Sequence, residues 1–148
     1  MNCVDNKNNK ELFVSKGLKN TKNRNHVLEL LKEAEVPLTA EVIYLKLKVL
    51  DTNISLSTVY RILEVFIAKD LVVKSSLSED NKTRYELHKD EHSHHLVCVN
   101  CKKIQAVFHC PLEAYEKAVE KETEFNITGH KLEIYGYCPE CQRIIEKH

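Results

Sequence analysis

The sequence predicts an α+β chain in two parts: a helical half closed by a two-stranded ribbon, then a smaller α/β half built around cysteines. Three observations carry this. Apolar residues recur at helical spacing between residues 24 and 67, then give way to strand-like alternation at Thr83–Leu87. A short polar stretch, His88-Lys89-Asp90-Glu91-His92, interrupts the pattern. Beyond it, two Cys-x-x-Cys pairs, Cys98/Cys101 and Cys138/Cys141, enclose further short alternating runs. The halves divide as residues 1–84 and 92–148, with 85–91 as the connecting hinge.

In the first half, Val27, Leu28 and Leu31 mark a helix over Arg24–Lys32. Thr39 is placed to cap a second helix whose apolar face runs through Ile43, Leu47 and Leu50. A third follows, with Ser57 as its expected cap. Its Val59, Ile62, Leu63, Phe66 and Ile67 form one apolar stripe, leaving Ser57, Thr58, Tyr60, Arg61 and Glu64 on other faces. Leu71–Lys74 and Thr83–Leu87 read as strands joined by a polar turn at Ser78–Asn81. Helices followed by such a ribbon fit a winged helix-turn-helix, in which the last helix enters the major groove of DNA. An amphipathic helix with one exposed arginine is more often a solvated surface, so the pattern alone does not establish DNA binding.

In the second half, His95–Val99 and Ile104–Phe108 read as strands joined through the first cysteine turn. Pro111 suits the first turn of a helix reaching about Thr123, and Lys131–Tyr137 alternates as a strand leading into the second pair. Four thiolates saturate a tetrahedral zinc ion, so the two pairs predict a structural zinc claw, with dithiol redox chemistry as the competing reading. The 36 residues from Lys102 to Tyr137 exceed an ordinary zinc-ribbon loop, so a helix and strands must be inserted. Three histidines, His92, His94 and His95, precede the claw within four positions. Along an extended strand His92 and His94 share one face and His95 takes the other, which separates two candidate sites. Imidazole suits several divalent metals and does not name the ion. Glu86, His88 and Asp90 lie close to this run. Glu113 also fits as a carboxylate at a helix N-terminus, and His130 as a turn residue. Cys3 and Cys110 receive no role.

Composition bounds the reading. The chain has 148 residues, 43% hydrophobic and 30% charged, with net charge +0. Residues 1–84 carry 14 Lys/Arg against 11 Asp/Glu, a balance of +3, and residues 85–148 carry 8 against 11, a balance of −3. The positive half is the one better suited to an anionic partner. A polar start and the lack of any membrane-length apolar run point to a cytoplasmic protein with no membrane association. Six cysteines, four of them in Cys-x-x-Cys pairs, then favour metal over disulfides.

The motifs together resemble the ferric uptake regulator family of metal-dependent repressors. They are Gly17-Leu18-Lys19-Asn20-Thr21-x-x-Arg24, Ser57-Thr58-Val59-Tyr60-Arg61, the run from His92 to Cys98, and the two cysteine pairs, in order from about Leu12 to Cys141. The resemblance implies a homodimer that binds double-stranded operator DNA, with an N-terminal winged-helix domain and a C-terminal α/β dimerisation domain. It implies DNA contacts from Lys19, Thr21, Arg24, Ser57, Thr58, Tyr60 and Arg61. Cys98, Cys101, Cys138 and Cys141 match structural zinc ligands. His92, His94, Glu113 and His130 match a second divalent-metal site, for zinc or iron. Glu86 and His95 match a regulatory site at the hinge, which His88 and Asp90 are placed to complete. Departures from the pattern are Ser93, where the hinge site usually has histidine, Pro37 and Ala106, where ligands often stand, and His88, where zinc-sensing members often have cysteine. The missing ligands argue against a peroxide sensor, and His88 favours zinc over iron. The rival functions are a zinc-dependent hydrolase and a metal-buffering protein without a DNA role.

Overall fold

The computed structural model describes residues 3–50, 52–76, 80–89 and 94–148, with side chains from residue 7 onward and without that of residue 76. The chain folds as two compact units, residues 1–88 and 89–148. The first extends beyond the boundary expected at residue 84, because Tyr85, Glu86 and Leu87 complete a strand and the His88 N–H donates to the Leu71 carbonyl at 2.9 Å. Among the described residues no helix is long and apolar enough to cross a membrane.

The first unit contains helices α1 (Cys3–Ser15), α2 (Lys22–Glu33), α3 (Ala40–Val49) and α4 (Leu56–Ala68), with strands β1 (Leu38–Thr39), β2 (Val72–Ser76) and β3 (Thr83–Leu87). Helix α1 was not legible as amphipathic. It is anchored by Phe13, fully buried and stacked on Phe66, and by the buried Asn9 amide, which donates to Asn25 and Glu29. Gly17 then takes φ +69°, a conformation glycine adopts without a Cβ penalty, and the Leu18 N–H returns to the Phe13 carbonyl. Thr21 caps α2 and Thr39 caps α3 through their hydroxyls. On α4 the cap is Ser55, which accepts from the Thr58 N–H at 3.2 Å, and not Ser57, which lies within the first turn. Both serines have the right chemistry, but only Ser55 has the extended backbone that an N-cap requires.

The stripe expected on α4 is the centre of the core: Val59, Ile62, Leu63 and Phe66 are buried against Val27, Leu28, Leu31, Ile43 and Leu47. Leu50 departs from expectation, lying largely exposed at the end of α3. Strands pair in the order β1-β3-β2, all antiparallel, with Lys74 opposite Tyr85. This is a helical core with a short wing. At the wing, Arg84 forks onto Asp80 with bonds of 2.8 and 2.6 Å, which holds the Asp80 carboxyl well below its ordinary range.

The second unit contains β4 (His94–Cys98), β5 (Ile104–Val107), α5 (Glu113–Thr123), β6 (Glu133–Gly136) and α6 (Pro139–Glu146). The central strand is β4, antiparallel to β5 and parallel to β6. Parallel pairing demands a crossover, and α5 occupies it. Helix α5 begins at Glu113, so Pro111 precedes the helix instead of opening it. Helix α6, at the second cysteine pair, was not anticipated. Among the described residues of this unit, the buried hydrophobic side chains are only Val97, Cys98 and Cys141. Leu96, Phe108, Tyr115, Phe125, Ile134 and Ile144 are exposed.

Candidate metal centres and nucleic-acid interface

The first cysteine pair lies on the β4–β5 turn. Lys102 takes φ +63°, its N–H bonds back to the Cys98 carbonyl, and the Cys98 N–H donates to Lys103. This tight turn lets both thiols face one point. The second pair opens α6, with Cys138 at the N-cap position and Pro139 next. The four sulfur atoms lie within 4.8 Å of one another. Cys101 and Cys138 are separated by 3.7 Å, against about 3.8 Å between ligands on a tetrahedral zinc with Zn–S bonds of about 2.3 Å. Backbone N–H groups of Cys101 and Cys138 lower the Cys98 thiol to about 6. At Cys141 the Asn100 amide pulls the thiol down, but burial and the three neighbouring thiols outweigh it and push it up to about 12. Cys98 thus ionises readily while the crowded Cys141 resists ionisation. A divalent cation removes that conflict, so the donor set fits zinc.

A second cluster lies in the same unit. His94 is buried on β4, and its Nε2 lies 3.2 Å from Nε2 of His130, which reaches it from the α5–β6 connection. The Cys110 sulfur stands 3.4 Å from the same His130 atom. The other ring nitrogen of His130 is hydrogen-bonded to Glu116 on α5. Of the four residues expected here, the structure thus brings His94 and His130 together, and His92 lies outside the described residues. Glu113 is not among the side chains that converge. Its carboxylate takes Lys117 Nζ at 3.1 Å, one turn along a solvent-facing stretch of α5. Cys110 and Glu116 were missed. Glu116 follows Glu113 by three positions, so the helix offers two carboxylates to choose between. Nothing local marks Cys110.

The residues expected at the hinge fall in different units. Glu86 lies on β3 opposite Val73, and His88 is tied to the α4–β2 turn, where its Nδ1 lies 3.2 Å from the Asp70 carbonyl. Asp90 lies outside the described residues. His95, in the second unit, is 5% exposed between Ala106 and Glu133, and among the described residues its Nε2 has no hydrogen-bond partner. Burial pushes its pKa down, against an opposing pull from Glu133.

In the first unit, the residues expected at DNA cluster around two helix starts. Lys19 and Thr21 precede α2, and the Arg24 guanidinium donates to the Lys19 carbonyl at 2.9 Å. Ser57 and Thr58 hydroxyls lie 3.2 and 2.9 Å from that of Ser55. Tyr60 donates its hydroxyl to Glu41 on α3 at 2.6 Å, which raises the phenol to about 12 and lowers the carboxyl. Arg61 is exposed. Neither α2 nor α4 carries an acid in its first turn, so their positive helix ends are unmasked.

Comparison with known proteins agrees with this layout. The model of the Ferric uptake regulator family matches residues 15–135. The ferric uptake regulation protein of Legionella pneumophila is 38% identical over 127 residues, 85% of this chain and 93% of that protein. The peroxide-responsive repressor PerR of Staphylococcus saprophyticus is 37% identical over 128 residues, 85% of this chain and 84% of that protein. Identity therefore does not separate ferric uptake regulation proteins from peroxide-responsive repressors as relatives. Among solved structures, the Helicobacter pylori ferric uptake regulator superposes with a TM-score of 0.76 at 28% identity, covering 94% of this chain and 92% of that one. The Vibrio cholerae regulator does so with 0.76 at 32% identity, covering 88% and 99%.

Proposed function

The chain belongs to the ferric uptake regulator family, whose members are transcription regulators and not enzymes, and we propose that this one is a zinc-responsive repressor of metal-homeostasis genes. The observation that carries the proposal is the convergence of two ligand clusters, one of four thiolates and one around His94 and His130, in a chain that also bears a winged-helix unit. The thiolate claw holds zinc as structure, since four such ligands leave no open position. The His94/His130 centre, with His92 from the same run, takes the second divalent cation. His88 favours zinc, with iron the alternative.

The exposed apolar side chains of the second unit are the surface on which two copies pair, giving a cytoplasmic homodimer. Two copies of α4 then reach successive major grooves of double-stranded operator DNA, with Lys19, Arg24 and Arg61 on phosphate or base edges. Glu86, His88, Asp90 and His95 are the residues through which metal would act on DNA binding. The buried Nε2 of His95, without a partner among the described residues, supports a ligand role for that side chain. Metal favours the DNA-competent arrangement only if it binds that arrangement more tightly.

Operator affinity measured against zinc and, anaerobically, iron tests the reading, with metal content followed by mass spectrometry. Affinity is expected to rise on the order of 5–150-fold on loading zinc beyond one ion per chain. His88→Ala combined with His95→Ala is expected to abolish that rise more completely than it lowers the melting temperature. Affinity independent of metal would refute the proposal, and a response to iron alone would reassign the cation.

A further inference from the structure

We infer that the Cys110 thiolate, and not the Glu113 carboxylate, completes the His94/His130 centre, making it a site for a thiophilic divalent cation. This rests on reading that pair as a metal site. Tetrahedral zinc with bonds of about 2.0–2.1 Å to nitrogen and about 2.3 Å to sulfur sets ligand separations of about 3.3–3.4 Å for two nitrogens and about 3.6 Å for nitrogen and sulfur. The corresponding separations here are 3.2 Å and 3.4 Å. The ligand atoms of His94, Cys110 and His130 all lie within 4.8 Å of one another.

The surroundings agree. Glu116 engages Nδ1 of His130, the arrangement in which a carboxylate fixes a ligating imidazole and leaves Nε2 with its lone pair toward the metal. His94 is 3% exposed, so the centre is partly shielded from water. Glu113 is held by Lys117 on an exposed face. A soft sulfur beside two imidazoles selects zinc or another thiophilic ion over hard, oxygen-seeking cations such as magnesium or manganese. Binding releases the Cys110 proton to solvent, so uptake is coupled to pH.

Cobalt(II) reads out sulfur directly. The full chain is first loaded with one zinc per chain, and Co2+ is then titrated in while retained zinc is checked by mass spectrometry. A near-ultraviolet thiolate-to-cobalt charge-transfer band is expected in the wild type. Cys110→Ser is expected to lose the band and weaken cobalt binding about 10-fold or more, and Glu113→Gln to change neither. Cobalt uptake without a thiolate band, or affinity lost in Glu113→Gln and kept in Cys110→Ser, would overturn the assignment of Cys110 while leaving a second centre in place. No cobalt uptake beyond the zinc-filled claw would overturn the second centre as well, leaving His94 and His130 as a plain hydrogen-bonded pair.

Discussion

Replacing Cys141 by serine removes one ligand of the thiolate claw and should unfold the second unit while sparing the first. The Cys98 sulfur and the Cys138 N–H that reaches it are 40 positions apart in sequence. Closing a loop of that length through a crosslink restricts the unfolded chain by about 4 kcal/mol in the loop-entropy picture. The apolar contribution available to replace it is small. Among the described residues of this unit, Val97 is the only buried hydrophobic side chain that is not a claw ligand. Its burial contributes roughly 1.5–3 kcal/mol. Losing the claw therefore removes more than this one fully buried side chain supplies. Hydrogen exchange with mass spectrometry is the assay, with zinc content measured on the same sample. In Cys141→Ser, amides of β4, β6 and α6 should lose most of their protection, while those of α2, α3 and α4 keep it. Protection of β4 and β6 within about 1 kcal/mol of wild type, in a variant shown to lack claw zinc, would refute the reasoning.

Arg61→Ala and Tyr60→Ala should each weaken operator binding by about 1–3 kcal/mol without altering metal content. Unchanged affinity in both, by fluorescence anisotropy, would remove α4 from the interface. Asp80→Asn should destabilise the first unit at neutral pH by about 1–2 kcal/mol, because the forked guanidinium of Arg84, 9% exposed, loses its anionic partner. The Asp80 carboxyl is depressed in the folded state, so its contribution is fully present above the ordinary carboxyl value of 3.8 and is lost as pH falls below it. Urea melts of the two proteins should therefore differ at pH 7 and converge in acid, and equal midpoints at pH 7 would count against the pair.

The parts of the fold legible in sequence were those whose signal is local. The stripe Val59, Ile62, Leu63 and Phe66 defines α4 because four large side chains at helical spacing have one burial solution. The first cysteine pair announces its turn because two thiols three positions apart converge where the chain reverses, whereas the second opens a helix that the spacing does not announce. What stayed hidden was decided by closure over long distances. His130 meets His94 across 36 positions and Cys110 across 20, and no spacing rule reaches that far. Helix α1 was hidden for another reason: its attachment runs through Asn9 as much as through Phe13, and a buried asparagine looks like a surface residue in sequence. Ser55 and Ser57 were interchangeable on paper. Backbone geometry, not side-chain chemistry, chose between them.

The parallel pairing of β4 with β6 has a kinetic consequence. The two strands meet only after a long crossover has closed, and closure must precede the contacts that reward it. A Cys98/Cys101 hairpin that has already taken up a cation presents two vacant coordination positions to the arriving Cys138 and Cys141, which raises the chance that each encounter is kept. Refolding of the second unit should therefore accelerate with zinc concentration. The first unit, made of sequence-local helices and an antiparallel wing, should refold at a rate indifferent to it. In a cell short of zinc, such a chain would spend longer with its second half unassembled, so availability of the ion would govern how quickly new copies mature.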